Sequence, residues 1–166
     1  MLSLGWHFPG ATIFLDASLL CFNVSDSYIN GSQIDFQSPV NGILGEAAMH
    51  SGDQIRGKQG EHNIMISLSK MPKVVQSIVL VLSAWTDDLS AISNPFVKLV
   101  DTKVPDVPLC EYSLESAGSS QAVIMARITR SVGGGWKVEP IGVTSRGTCR
   151  SYAPILETLS NIARKK

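Results

Sequence analysis

The sequence predicts an all-β chain folded as a two-sheet β-sandwich, with one amphipathic helix at its C-terminal end. Three observations predict it. Short apolar runs recur along the chain, set apart by turns rich in Gly, Pro, Asn and Asp. One run, residues 77–85, is almost continuously apolar and β-branched, as a strand covered on both faces must be. The i, i+3, i+4 spacing of a helix shows only near the end.

In chain order, residues 11–23 form an apolar run around the lone Asp16. Residues 31–52 are the least regular stretch and read as long surface loops. Residues 63–71 alternate, with Ile64, Ile66 and Leu68 on one face. Residues 77–85 give the most buried strand, and 95–103 and 110–115 give shorter ones, separated by Pro105 and Pro108. Residues 120–132 alternate Ala122, Ile124, Ala126 and Ile128 against Val123, Met125, Arg127 and Thr129. Gly133-Gly134-Gly135 turns the chain, and residues 136–143 return as the second strand of a hairpin. Tyr152, Ile155, Leu156, Leu159 and Ile162 then make one apolar stripe, so a helix is expected over about 152–165, packed on the sheet. Pro154 suits its first turn, and Arg164, Lys165 and Lys166 complement its negative end. No repeat or linker divides the chain, so residues 1–166 are read as one domain.

Composition narrows the function. At 44% hydrophobic and 17% charged residues, the chain can bury a core and is not a disordered tail. No stretch approaches the ~18 uninterrupted apolar residues of a membrane span. The run over 11–22 is broken by Asp16 and lacks a basic flank, so no signal peptide is read and a cytoplasmic location is expected. Cys21, Cys110 and Cys149 are odd in number and form no CxxC pair. They are expected as reduced thiols, not as a disulfide framework or zinc site. The N-glycosylation patterns Asn23-Val24-Ser25 and Asn30-Gly31-Ser32 are therefore read as chance. Residues 1–60 carry a net charge of −3 and residues 120–166 a net charge of +6. The basic end could meet an acidic partner, but no aromatic interleaving points to nucleic acid, which is not expected as a ligand.

Motifs for catalysis do not assemble, and no enzymatic activity is expected. Residues 52–58 fit most of the phosphate-loop pattern GxxxxGK, but Gln59 stands where the magnesium-binding hydroxyl belongs, and a strand follows instead of a helix. His7, His50 and His62 have no metal-ligand spacing and are expected on the surface or in loops. Asp87 and Asp88 follow the most buried strand and read as turn residues.

A series of short motifs runs through nearly the whole chain: Leu4-Gly5-Trp6-His7, Leu15-Asp16-Ala17-Ser18, Ser51-Gly52-Asp53 with Gly57, and Ile66-Ser67-Leu68 with Pro72. It continues with Phe96-Val97-Lys98-Leu99-Val100-Asp101, Cys110-Glu111-Tyr112-Ser113-Leu114, and Trp136-Lys137 with Ile141-Gly142. In order and spacing it resembles the TerD-domain family of tellurium-resistance and stress-response proteins. The resemblance implies a β-sandwich. It also implies calcium bound by an acid-rich surface of the form LGWD, DLDAS and SGDN-x-TG-x-GDGDDE, and a role in stress tolerance or chemical sensing without catalysis.

This chain departs from that pattern at the acids. His7 replaces the Asp of LGWD, Phe14 replaces the first Asp of DLDAS, and Lys58-Gln59-Gly60-Glu61-His62-Asn63 replaces the acidic run. The matching positions retain Asp16 and Asp53, with Glu61 as a third carboxylate, as the candidate calcium ligands. The family also carries a strand or hairpin before the LGW motif, whereas Met1 lies three residues before Leu4. A sheet edge left open there would need a protein partner, a second copy or a rerouted segment to cover it. The resulting expectation is a non-enzymatic binding or scaffold module with a degraded calcium site, working in a larger assembly. The alternative is a calcium-binding stress-response protein of the tellurium-resistance type.

Overall fold

A computed structural model describes residues 1–7, 14–56, 59–85, 88–91, 93–113 and 117–164. The described residues form ten strands: β1 (Leu2–His7), β2 (Leu15–Phe22), β3 (Ala48–His50), β4 (Gln54–Arg56), β5 (Gln59–Ile66), β6 (Ser77–Ala84), β7 (Ser93–Val100), β8 (Pro108–Ser113), β9 (Ala122–Arg130) and β10 (Trp136–Ser145). One helix, α1 (Ala153–Ala163), follows. Two antiparallel sheets result. The first runs β3-β5-β1-β7-β8, with β4 also on β5, and the second runs β10-β9-β6-β2. The all-β sandwich with a C-terminal helix is thus the observed fold.

Burial follows the strand period. Leu15, Ala17, Leu19 and Cys21 of β2 and Ile78, Leu80, Leu82 and Ala84 of β6 enter the core between the sheets. The alternate residues Leu20, Phe22, Val79 and Val81 face the other way and meet Ile155 and Leu159 of α1. Both faces of β2 and β6 are therefore covered, which is why every residue of these two strands is buried. Pro154 lies in the first turn of α1, and Tyr152, Leu156 and Ile162 complete the packed stripe. Lys165 and Lys166 fall outside the described residues.

Three expectations are corrected. The alternation across β9 does not persist, because a β-bulge interrupts it. Leu80 pairs with Ala126 but Val81 with Ile124, leaving Met125 extra. Ala122 and Ile124 accordingly face α1, while Met125, Ala126 and Ile128 enter the inter-sheet core. The segment 31–52 is not simply surface loop. Ser32, Ile34, Asp35, Leu44, Ala47, Ala48 and His50 are buried, and the segment contains β3. The strand expected over 63–71 instead starts at Gln59 and ends at Ile66, with a 3-10 turn at Leu68–Lys70.

The edges also lie elsewhere than expected. β1 is hydrogen-bonded on both sides, to β5 and β7, and the Met1 amine donates to the Val100 carbonyl at 2.7 Å. The open side of β2 carries residues 29–34: Leu19 and Ile34 exchange backbone bonds at 2.8 and 3.0 Å, and the Ile29 N–H donates to the Cys21 carbonyl at 2.9 Å. Much of the basic C-terminal charge is engaged internally. Arg127 pairs with Asp26, Arg130 donates to the carbonyls of Met71, Pro72 and Val75, and the Arg150 guanidinium stacks 3.9 Å from the Trp85 ring centre.

Candidate functional site

The residues singled out as calcium ligands fall on two different layers. Asp16 lies at the start of β2, one position out of step with Leu15 and Ala17, so it points to the side covered by the C-terminal segment. It is 2% exposed and its Oδ2 has no hydrogen-bond partner. Burial pushes its carboxyl up to about 6; Asp53 and Asp35 add to this, while a hydrogen bond from the Cys149 thiol and the charge of Arg150 oppose it. Next to it, the Tyr152 hydroxyl donates to Asp35 Oδ2 at 2.6 Å and lies 2.8 Å from Ser18 Oγ. Asp35 Oδ1 takes the Ser38 N–H at 2.7 Å. The Cys149 N–H reaches Ser83 Oγ at 3.2 Å.

Asp53 belongs to the other sheet. It precedes β4 and reaches over the sheet end to His62 Nε2 at 2.5 Å. His62 is fully buried on the inner face of β5, and its ring meets His50 edge to face, with centroids 4.7 Å apart. His50 Nδ1 accepts the Gly52 N–H at 2.9 Å, which leaves its proton on Nε2, a buried atom with no partner. Burial holds His50 down at about 4, with His62 adding to the effect. Burial also lowers His62, against the pull of Asp53. The expectation of surface histidines is therefore wrong for these two, because β5 alternates inward through His62. For His7 only its place on β1 is described.

Glu61 is next to His62 and so points the opposite way, outward, where it accepts the Asn63 side-chain amide at 2.8 Å. Asp16 and Asp53 are near enough to interact electrostatically, but Glu61 does not join them. Among the described residues, no three His, Cys, Asp or Glu side chains gather closely enough to hold a metal ion. The three candidate carboxylates therefore do not converge on one point, as the carboxylates of a calcium site would: one is bound to an imidazole, one is buried beside a thiol, and one faces away.

The same geometry bears on nucleophilic chemistry. Burial, with Asp16 and Asp35 nearby, pushes the Cys149 thiol up, and burial raises Cys21 to about 12, so both stay protonated at neutral pH. The three cysteines are free. Residues 52–56 of the phosphate-loop-like stretch lead into the β4–β5 hairpin, not into a helix. Gly57 and Lys58 lie outside the described residues. So do Thr86 and Asp87, whereas Asp88 Oδ1 accepts the Ser90 N–H at 2.9 Å, the turn role expected of it.

Sequence reasoning missed Asp35, Tyr152 and Cys149 as partners around Asp16, because they lie in segments with no strand period. The inward phase of β5 is the signal for His62.

Among the described residues, no helix is long and apolar enough to cross a membrane. No curated protein is significantly similar in sequence. Solved structures share the fold, two of them as follows. The protein of unknown function SAV2460 superposes with a TM-score of 0.74 at 14% identity, over 93% of this chain and 95% of that one. A homologue of the telluride resistance protein TerD, SCO6318 from Streptomyces coelicolor A3(2), superposes with a TM-score of 0.69 at 12% identity, over 92% and 94%. The TerD-domain model matches residues 1–153, which leaves nearly all of α1 beyond it. With most of its length matched in this way and the sandwich in place, the chain belongs to the TerD-domain family.

Proposed function

We propose that this chain is a non-enzymatic binding module of the TerD type, with a degraded calcium site, that works as a component of a larger protein assembly in the cytoplasm. The observation that carries the reading is the fate of the three candidate ligands. The Asp53 carboxylate is already satisfied by His62, Asp16 is buried against Cys149, and Glu61 faces the opposite side of β5. The surface adds support. Val40, Met49 and Met65 are 57%, 52% and 43% exposed and line one groove of about 840 Å³ beside β3 and β5. Flexible methionines on an open groove suit contact with a protein partner or a second copy.

The test is a thermal melt of the purified chain in millimolar calcium and then in chelator, beside a light-scattering mass and cross-linking. A site with a Kd near 1 mM adds only about 0.4 kcal/mol at 1 mM calcium, or roughly 1 °C in a chain of this size. A shift no larger than that, with Met49→Glu reducing self-association or cross-linking, is the expected result. A rise of several degrees that Asp16→Ala and Asp53→Ala each abolish would replace this reading with the calcium-responsive one.

A further inference from the structure

Exposed apolar side chains gather at one end of the sandwich. Among the described residues, the three most exposed large apolar side chains are Val132, Val24 and Val107, and Val104, Val74 and Leu109 are also more than half exposed. The register places their turns together. β2 ends at Phe22, opposite Ser77 at the start of β6; Ser77 pairs with Thr129 of β9, and Thr129 with Lys137 of β10. The turns at 23–27, 72–76 and 131–135 therefore share one end of the second sheet. The β7–β8 loop, residues 101–107, reaches the same end from the first sheet, because Asp101 and Lys103 line a slot of about 350 Å³ together with Ile128 of β9 and Val138 of β10. With strands ~4.8 Å and sheets ~10 Å apart, the tips spread over a patch roughly 14 Å by 10 Å.

Each turn spends its polar groups internally and leaves a valine at its tip. Asn23 Oδ1 accepts the N–H groups of Ser25 and Ser27 at 2.9 and 3.1 Å, with Val24 outside. The Gly134 N–H donates to the Ser131 carbonyl at 3.0 Å, and Gly134 and Gly135 take φ +85° and +80°, so the residues after Val132 have no side chain to cover it. In the β7–β8 loop the Val104 N–H donates to the Asp101 carbonyl at 3.0 Å, and Val107 to the Val104 carbonyl at 3.3 Å. Arg130 holds the 72–76 turn through the Met71, Pro72 and Val75 carbonyls. None of these valines belongs to either core cluster, so the fold does not require them to be apolar.

We propose that this end of the sandwich docks on the surface of an anionic lipid bilayer, with the valine tips entering the headgroup region and Lys73 and Lys103 meeting lipid phosphates. Both lysines are exposed, and each precedes an exposed valine, Lys73-Val74 and Lys103-Val104. A tip that enters the apolar layer thus leaves its ammonium at headgroup level. Shape selects the bilayer over a protein. The four turns carry no aromatic side chain and no arginine, the anchors that centre protein interfaces. A protein would need a separate hollow for each small convex tip, whereas a fluid headgroup layer closes around all of them. Of the acids on these turns, Asp26 is paired with Arg127, and Asp101 Oδ1 accepts the Lys103 N–H; Asp106, beside Val107, opposes docking. The surface is separate from the candidate calcium ligands, since Asp16 pairs with Ser83 at the other end of β6.

The experiment is co-sedimentation of the full chain with phosphatidylcholine vesicles, with and without phosphatidylserine, paired with amide NMR in bicelles carrying a spin-labelled lipid. The chain is expected to sediment with the phosphatidylserine vesicles, less with phosphatidylcholine alone, and less as salt rises. Line broadening should gather at residues 24, 74, 104–107 and 132. Val24→Ser/Val132→Ser should weaken vesicle binding by about tenfold or more, with an unchanged urea midpoint. Lys73→Gln and Lys103→Gln should each cost roughly fivefold on phosphatidylserine vesicles and nothing on phosphatidylcholine, and Asp106→Asn should tighten binding. No sedimentation with either vesicle, binding untouched by Val24→Ser/Val132→Ser, or broadening clustered away from the tips would overturn the proposal. Self-association that the double valine variant abolishes, in a chain that ignores vesicles, would also overturn it and assign the tips to a protein interface.

Discussion

Asp16 and His50 should pull the stability of this protein in opposite directions as the pH falls. Asp16 has an ordinary value of 3.8 and is raised to about 6 in the fold, chiefly by burial. An acid raised on folding binds more protons in the native state. Its contribution is fully present below pH 3.8 and is lost as the pH rises through about 6. His50 has an ordinary value of 6.5 and is lowered to about 4, again chiefly by burial. A base lowered on folding binds fewer protons in the native state. Its contribution is fully present above pH 6.5 and is lost as the pH falls through about 4. At about 1.4 kcal/mol per unit, going from pH 7 to pH 4 gains about 2 kcal/mol from Asp16 and loses about 3 kcal/mol from His50. His62, also lowered by burial, acts in the direction of His50.

The parent protein should therefore show a shallow loss of stability toward acid pH, and the two variants should diverge from it. Urea unfolding at closely spaced pH values between 4 and 7 reads the difference. Asp16→Asn removes the opposing term, so its loss toward pH 4 should be about 2 kcal/mol steeper than the parent's. At pH 7 it should be at least as stable as the parent, because a buried charge has been replaced by a neutral group of the same shape. His50→Asn should flatten the acid loss, by about 3 kcal/mol over the same span. If Asp16→Asn and the parent keep parallel profiles, or if Asp16→Asn is several kcal/mol less stable at pH 7, Asp16 is a working anion there and the burial argument fails.

Other perturbations test the packing around the same residues. Tyr152→Phe removes the hydroxyl that serves Asp35 and Ser18, and should cost about 2 kcal/mol in urea unfolding because it leaves a buried carboxylate one donor short. Ile155→Ala should cost about 2–5 kcal/mol by the same measurement, since Ile155 is wholly buried between α1 and the second sheet. Arg130→Met removes the guanidinium that lies over Trp136 and takes a donor from three carbonyl oxygens at the turn before β6, so amide hydrogen exchange at residues 71–76 should quicken.

The parts of the fold legible in the sequence are those whose burial is periodic. β6 is readable because both its faces are covered, so no polar residue interrupts Ile78 to Leu82. The helix is readable because one face meets the sheet and the other meets water. The phase of β9 is not readable from its own residues, since Met125 carries no mark of a bulge; the marks are on its neighbour, in Pro140 and Gly142. Residues 31–52 defeat pattern reading for a different reason. Ahead of β3 they cover an edge instead of forming a sheet face, so Ser32, Ile34 and Asp35 are buried one by one with no period to show it.

The candidate site divides along the same line. The composition of its motifs indicates which acids remain, but a carboxylate acts according to its neighbours, and those of Asp16 and Asp35 come from the far end of the chain, at Cys149 and Tyr152. No local pattern links residues more than a hundred positions apart. The pairing of Asp53 with His62 is different in kind, because the information is local. Ile64 points inward, and carrying its period of two back along β5 brings His62 and Gly60 to the same face. A histidine on the inner face of β5, opposite the Ser51-Gly52-Asp53 break between β3 and β4, needs a polar partner to be buried at all. Glu61, the nearest acid by sequence, faces outward, so the partner is Asp53. Once that carboxylate serves the imidazole, a cation at the same place must compete with a bond already formed.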